Sequence, residues 1–189
     1  MKVEYLENKH QYIIDGKIVP AVSTLVAYAT GNIYSDVPEF ILEKARVHGL
    51  AVHDAIENYE RTGVINEEHA YEVRTYADLK EKYLLNVKDM EQIIHYKNHY
   101  GGRYDILDLE GNLWDIKTTS KFHKRNLEWQ LGLYYLGMGV ERDIGYCIHI
   151  PKKGKAKVYA ITPRTNAECI DLVNTYEQAN KSTTDTEES

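Results

Sequence analysis

The sequence predicts an α/β fold, a mixed β-sheet flanked by α-helices. Three observations point to it. Three strand-like runs follow one another between residues 91 and 118, helical periodicity stands on both sides of them, and a second pair of strand runs returns at 144–161.

The elements follow in order. Residues 12–19 (YIIDGKIV) place Asp15-Gly16 between two short apolar runs, the signature of a tight hairpin. Pro20 closes it, and Ser23 and Thr24 are placed to cap a helix. From Val37 to Arg61 the pattern is helical: Pro38 suits a first turn, Ala45, Val52, Ile56 and Tyr59 recur near helical spacing, and Gly63 is a stop. Residues 66–85 form a second amphipathic helix, rich in tyrosine. Glu91–Lys97, Arg103–Leu109 and Leu113–Thr118 read as successive strands. Leu127–Met138 is helical, with Leu127, Leu131, Tyr134 or Tyr135, and Met138 on one stripe. Ile144–Ile150 and Lys157–Ile161 are strands joined by an exposed turn at Pro151–Gly154, and Arg164–Ala179 is a closing helix. No internal repeat or low-complexity linker interrupts this order. Residues 1–180 read as one domain and 181–189 as a disordered acidic tail.

Composition narrows the function. The chain has 189 residues, enough for one domain with a hydrophobic core, and 43% hydrophobic with 28% charged residues is ordinary for a globular protein. No apolar run approaches the ~20 residues that cross a bilayer, and the charged N-terminus is unlike a secretory signal. Cys147 and Cys169 are far apart, without metal-type spacing, which excludes a four-cysteine zinc or iron–sulfur site. The expectation is a reduced, cytoplasmic protein without a membrane role. A net charge of −6 runs against the basic character usual in nucleic-acid binders. Part of it resides in the tail, however, and the basic residues are clustered. Lys117, Lys121, Lys124 and Arg125 form one group, and Lys152, Lys153, Lys155 and Lys157 form another. Such local strips attract phosphate even on an acidic protein.

The chemistry centres on residues 102–118 (GRYDILDLEGNLWDIKT). Side chains alternate along a strand, so Asp115 and Lys117 share one face and Trp114 and Ile116 the other. Whether Asp105 joins them depends on the turn. A three-residue loop at Glu110–Asn112 pairs Leu109 with Leu113 and sets Asp105 opposite Lys117 on the same face. An even loop sends Asp105 to the wrong side. Two carboxylates held this close repel unless a cation lies between them. Mg²⁺ prefers such hard oxygen ligands, and a bound Mg²⁺ acidifies water and polarises a phosphoryl oxygen. A lysine two residues away orients that water, and the Ile116 carbonyl offers one more oxygen. An isolated Asp-x-Lys is most often a solvated hairpin. Here the pair is embedded among Leu113, Trp114 and Ile116, which points to a buried sheet edge or cleft.

Two helical patterns add to it. In residues 49–57 (GLAVHDAIE), Gly49, His53 and Glu57 share a face. A helix-interior glycine costs ~1 kcal/mol relative to alanine and marks close approach by a backbone or a ligand. Gln130 and Tyr134 stand one turn apart on the later helix. Taken singly, His53 is more often a structural histidine, and Gln130 and Tyr134 ordinary helix surface and core.

Together these elements resemble the PD-(D/E)XK nuclease superfamily and, within it, the RecB-like branch, with its G-x-x-x-H helix, G-x-x-D strand, D-x-K strand and Q-x-x-x-Y helix. They stand here, in that order, at Gly49–His53, Gly102–Asp105, Asp115–Lys117 and Gln130–Tyr134. His10, Tyr12, Asp15-Gly16 and residues 20–24 (PAVST) are similar to phage-type exonucleases and to the mitochondrial genome-maintenance exonuclease. The resemblance covers about residues 10–162 and departs from the family name at one place, Tyr104 standing where the proline would be.

The resemblance implies a restriction-endonuclease-like sheet and a Mg²⁺-dependent deoxyribonuclease, an exonuclease of phage or bacterial DNA recombination, repair or replication, with Mn²⁺ able to substitute. His53, Asp105, Asp115 and the Ile116 carbonyl would bind the metal. Lys117 would position the attacking water, and Glu57 would assist. Gln130 and Tyr134, with Lys121, Lys124 and Arg125, would line the DNA path. Partners would be DNA, single-stranded or with free ends, and a recombination or single-strand-binding protein. The rival reading is a non-catalytic DNA-binding or assembly module that keeps the fold.

Overall fold

The computed structural model describes residues 2–6, 11–31, 33 and 35–187, with side chains as far as 181. His10 lies outside the described residues. Two sheets are present. A small antiparallel sheet joins β1 (Val3–Leu6), β2 (Gln11–Ile14) and β3 (Lys17–Val19). The expected two-residue turn sits between β2 and β3, with Asp15 and Gly16 at φ 47° and 80°. These are the left-handed values that such a turn requires. β1 was not anticipated, because VEYL is short and has no turn signal beside it.

The main sheet has the order β4 (Val87–Tyr96), β5 (Tyr100–Asp108), β6 (Leu113–Lys117), β7 (Gly145–His149), β8 (Lys157–Ile161). β6 and β7 are parallel and the other neighbours antiparallel, which makes the sheet mixed as expected. The parallel pair needs a crossover, and α4 (Lys124–Gly137) supplies it. On one face α1 (Val22–Thr30), α4 and α5 (Asn166–Glu187) bury Leu25, Leu131 and Val173 against Leu113 and Cys147. On the other, α2 (Glu39–Thr62) and α3 (Ala70–Lys82) bury Val52, Ile56 and Tyr76 against Ile106, Trp114, Ile116 and Ile148. The alternation of Leu113 and Trp114 between these cores is the period-two signal of β6 made physical.

Several boundaries differ from expectation. Ser23 and Thr24 lie inside the first turn of α1, whose N-cap Ala21 makes no side-chain cap. Pro38 is the N-cap of α2 rather than part of its first turn, while Gly63 ends α2 at φ 73°, its N–H bonded to Tyr59 O. The second helix is preceded by a 3₁₀ turn, Glu67–His69, capped by Asn66. The last helix runs to Glu187 instead of stopping near Ala179. No glycine or proline follows Pro163, so nothing in the sequence breaks it.

Candidate active site

The site lies where β5 and β6 part. Their ladder pairs Leu107 with Leu113 and Ile106 with Trp114, then ends. The connecting loop is odd, as required, but occupies Leu109–Gly111 rather than Glu110–Asn112. Asp108 N donates to Asn112 O at 3.0 Å, and Gly111 takes the left-handed φ of 84°. Asp108 fixes this register, its carboxylate accepting from Asn112 N at 2.7 Å and from Trp114 Nε1 at 2.8 Å. The shift moves the pairing by two residues, so Asp105 comes level with Asp115 instead of Lys117. The face is preserved, because a shift of two keeps side-chain direction.

Beyond Ile106, a side chain replaces the ladder. Asp105 Oδ2 accepts the Ile116 N–H at 2.6 Å. His53, from α2, has Nε2 3.1 Å from Ile116 O and turns Nδ1 toward Asp105 Oδ1 at 3.5 Å. A second carboxylate meets the same nitrogen, with Glu91 Oε1 3.4 Å from His53 Nδ1. The hairpin of β4 and β5 places it there. Met90 pairs with Ile106 and Gln92 with Tyr104, so Glu91 stands level with Asp105. Glu91 has φ 50°, a strained value for a non-glycine residue inside a strand. Arg103 Nε holds its other oxygen at 2.8 Å.

Lys117 at the end of β6 and two groups of α4, which lies on the sheet face opposite α2, gather around Asp115. Lys117 Nζ donates to Asp115 Oδ1 at 2.9 Å, and Gln130 Nε2 donates to the same oxygen at 2.8 Å and to Tyr134 Oη at 3.1 Å. Gly102 makes room for this. A Cβ there would lie 2.7 Å from Val22 Cγ2 and 2.9 Å from Tyr134 Cε1. Gly49 is different, its Cβ position meeting Thr118 Oγ1 at an ordinary 3.6 Å.

The electrostatics are those of charge packed into a partly desolvated pocket. Burial raises the Asp115 carboxyl, Lys117 opposes and Asp105 adds, for a net pKa of about 6. Asp105 is also raised, by burial, against the pull of His53 and Lys117. For His53, burial works against the charged ring, but Asp105 and Glu91 outweigh it and raise its pKa to about 9. Burial likewise opposes charge on Lys117, and Asp115 with Asp105 outweighs it.

Two buried carboxylate oxygens lack hydrogen bonds, Glu91 Oε1 and Asp115 Oδ2. Asp115 Oδ2 has only Lys117 Nζ, 2.8 Å away, as an ion-pair partner. Buried acceptors left in this state are what a cation would satisfy. His53, Glu91 and Asp105 present one ligand atom each, all within 4.8 Å of one another. One imidazole and two carboxylates suit a hard divalent ion.

The residues expected from the sequence are therefore brought together unevenly. His53, Asp105, Asp115, Lys117, Gln130 and Tyr134 converge. Ile116 O faces the His53 ring, 3.1 Å from Nε2. Glu57 does not join them: it is exposed on α2, one turn beyond His53, whereas Glu91 stands beside His53 and Asp105. Lys121, Lys124 and Arg125 are exposed in the segment entering α4 and in its first turn. Glu91 was missed because its distance from Asp105 in sequence hides a simple symmetry. Asn98, at the centre of the turn between β4 and β5, stands seven residues from each.

Two clefts open on this centre. One, of about 370 Å³, lies between α1 and α4 and reaches Lys117, Asn126 and Gln130. The other, of about 540 Å³, runs along α2 past Leu42, Gly49 and His53. Lys117 and Thr119 line both, so Lys117 stands where the two meet.

No protein-family model matches this sequence, and no curated protein matches it. Solved structures do. An alkaline exonuclease (LHK-Exo) from Laribacter hongkongensis superposes with a TM-score of 0.55 at 12% identity, over 90% of this chain and 91% of that one. The protein SSO0001 superposes with a TM-score of 0.50 at 15% identity, over 85% of this chain and 75% of that one. At such identities the likeness is one of fold, and this chain has the mixed α/β fold found in an alkaline exonuclease.

Proposed function

We propose that this protein is a Mg²⁺-dependent deoxyribonuclease that hydrolyses phosphodiester bonds, with Mn²⁺ able to replace Mg²⁺. The observation that carries the reading is the meeting of His53, Glu91 and Asp105 beside the Asp115–Lys117 pair, with the buried Glu91 Oε1 left without a hydrogen bond. His53, Glu91 and Asp105 would hold the metal, with Asp115 level with Asp105 on the neighbouring strand. A divalent ion bound there supplies Lewis acidity to a phosphoryl oxygen and lowers the pKa of water. The protein's own groups do the positioning. Asp115, itself held by Gln130, fixes Lys117, whose ammonium orients the attacking water and offsets negative charge as the phosphorus–oxygen bond breaks. The Gln130–Tyr134 pair, which stiffens Asp115, faces the cleft between α1 and α4.

The substrate class follows from the surroundings. The two clefts form a path across the centre, and Lys121, Lys124 and Arg125 stand at the N-terminal end of α4, where the helix dipole also favours phosphate. Within that reading the substrate is DNA that is single-stranded or has free ends. The likeness of fold to an alkaline exonuclease supports the same reading. The setting is DNA recombination, repair or replication in a bacterial or phage-infected cytoplasm, beside a recombination or single-strand-binding protein. No helix among the described residues is long and apolar enough to cross a membrane.

The test is a panel of single- and double-stranded DNA and RNA, labelled at each end, incubated with Mg²⁺, Mn²⁺ or EDTA. Shortening of DNA with either metal and none with EDTA is expected. Intact DNA under all three conditions contradicts the proposal.

A further inference from the structure

A second group of metal-ligating side chains lies away from the active centre. His48 on α2, His69 at the end of the 3₁₀ turn and Glu72 in the first turn of α3 place one ligand atom each within 4.8 Å of one another. The His48 and His69 rings stand 5.7 Å apart, and His48 Nε2 is 3.5 Å from Glu72 Oε1. The group is largely enclosed: His69 is 8% exposed, and the side chains of His48 and Glu72 are 21% and 14% exposed. His48 Nε2 is buried and makes no hydrogen bond. Helices are usually sealed together by apolar contacts. Two imidazoles and a carboxylate here, with a ring nitrogen unsatisfied, need another explanation.

We propose that His48, His69 and Glu72 form a second metal site, selective for Zn²⁺ or a similar borderline ion and separate from the nuclease centre. Two imidazoles and one carboxylate with a fourth position left to water are a donor set that Zn²⁺ accepts in tetrahedral geometry. The centre at His53 differs in kind, since its two carboxylates and one imidazole favour a harder ion. His69 is the N-cap of α3 and Glu72 lies in its first turn, so the two side chains meet at the start of that helix, and His48 meets them from α2. A groove of about 230 Å³ between His48, Thr118, Ser120 and Lys152 reaches His48 and offers an entry path. Lys152 is the opposing charge at this site, and Glu72 offsets it. A metal here ties α2, five residues before His53, to the start of α3 and stabilises the layer that carries His53.

The probe is Zn²⁺ alone, measured by equilibrium dialysis on the full chain in excess Mg²⁺, with thermal melting as a second readout. One Zn²⁺ per chain is expected, with a raised melting temperature. His48→Gln and Glu72→Gln each lower Zn²⁺ affinity at least about tenfold and abolish the melting shift, while Asp105→Asn leaves both intact. Both glutamine variants preserve side-chain volume closely enough to fold, and circular dichroism checks this. Mg²⁺-dependent cleavage by His48→Gln stays at the wild-type level, which separates this site from the proposed catalysis. Absence of Zn²⁺ binding by the wild type, or undiminished binding by both glutamine variants, overturns the proposal.

Discussion

Asp105 Oδ2 accepts the backbone N–H of Ile116 at 2.6 Å, so a carboxylate stands where a β-ladder hydrogen bond would otherwise be. The same strand residue, through its carbonyl, meets His53 Nε2. One residue of β6, through its N–H and its C=O, thus orients two side chains from two other elements, and the opening between β5 and β6 becomes a preorganised pocket instead of a frayed edge. Charge gathers there because the backbone holds it there.

The lysine should matter for rate more than for binding. Lys117→Met removes the cation next to Asp115 and is expected to lower the cleavage rate by about 10²–10³-fold, while affinity for DNA falls much less. Single-turnover kinetics beside filter binding would show the split. An equal loss in both would mean that Lys117 serves only to hold substrate.

The carboxylate at Glu91 should be needed, and the one at Glu57 should not. Glu91→Gln is expected to weaken Mn²⁺ binding by about 10–100-fold, as calorimetry would record. Glu57→Gln, on the exposed side of α2, should behave as the wild type. The reverse pattern would restore Glu57 as the functional acid.

Metal affinity should rise with pH. His53 holds a proton in the metal-free protein with a pKa of about 9, well above the ordinary 6.5. That proton stabilises the metal-free fold below pH 6.5, and the contribution is lost as pH rises through about 9. A metal taking Nδ1 must displace it, so Mn²⁺ affinity is expected to increase by up to about tenfold per pH unit between 7 and 9. Calorimetry in buffers of different ionisation enthalpy would count the proton released. A flat profile would mean that His53 is not a ligand.

The two motif glycines should respond oppositely to alanine. Gly102→Ala forces a methyl to within 3 Å of Val22 and Tyr134, and should cost about 1–3 kcal/mol of stability while displacing Tyr134. Gly49→Ala meets only an ordinary contact with Thr118 inside a helix, and should add up to about 1 kcal/mol. Denaturant unfolding of both variants tests the pair.

What the sequence disclosed follows local physics. Asp115 and Lys117 were legible because alternation along one strand decides their face, and Gln130 and Tyr134 because they lie one turn apart on one helix. The mixed sheet was legible in the order of strand and helix signals. The loop after Asp108 slipped by one position because Gly111 and Asn112 both tolerate left-handed backbone, and the choice rests on a cap from Asp108 to Asn112 and Trp114. Glu91 and the His48–His69–Glu72 group were not legible, since each depends on contacts between elements that periodicity does not relate. Gly49 fitted a motif yet makes no close approach.

The most direct measurement compares wild type with Asp115→Ala for cleavage of end-labelled DNA in Mn²⁺ and, on the same samples, for DNA binding in Ca²⁺. The account predicts metal-dependent cleavage by the wild type, none by Asp115→Ala, and retained binding by both. Wild-type protein that binds DNA without cutting it, or a variant that still cuts, would contradict it.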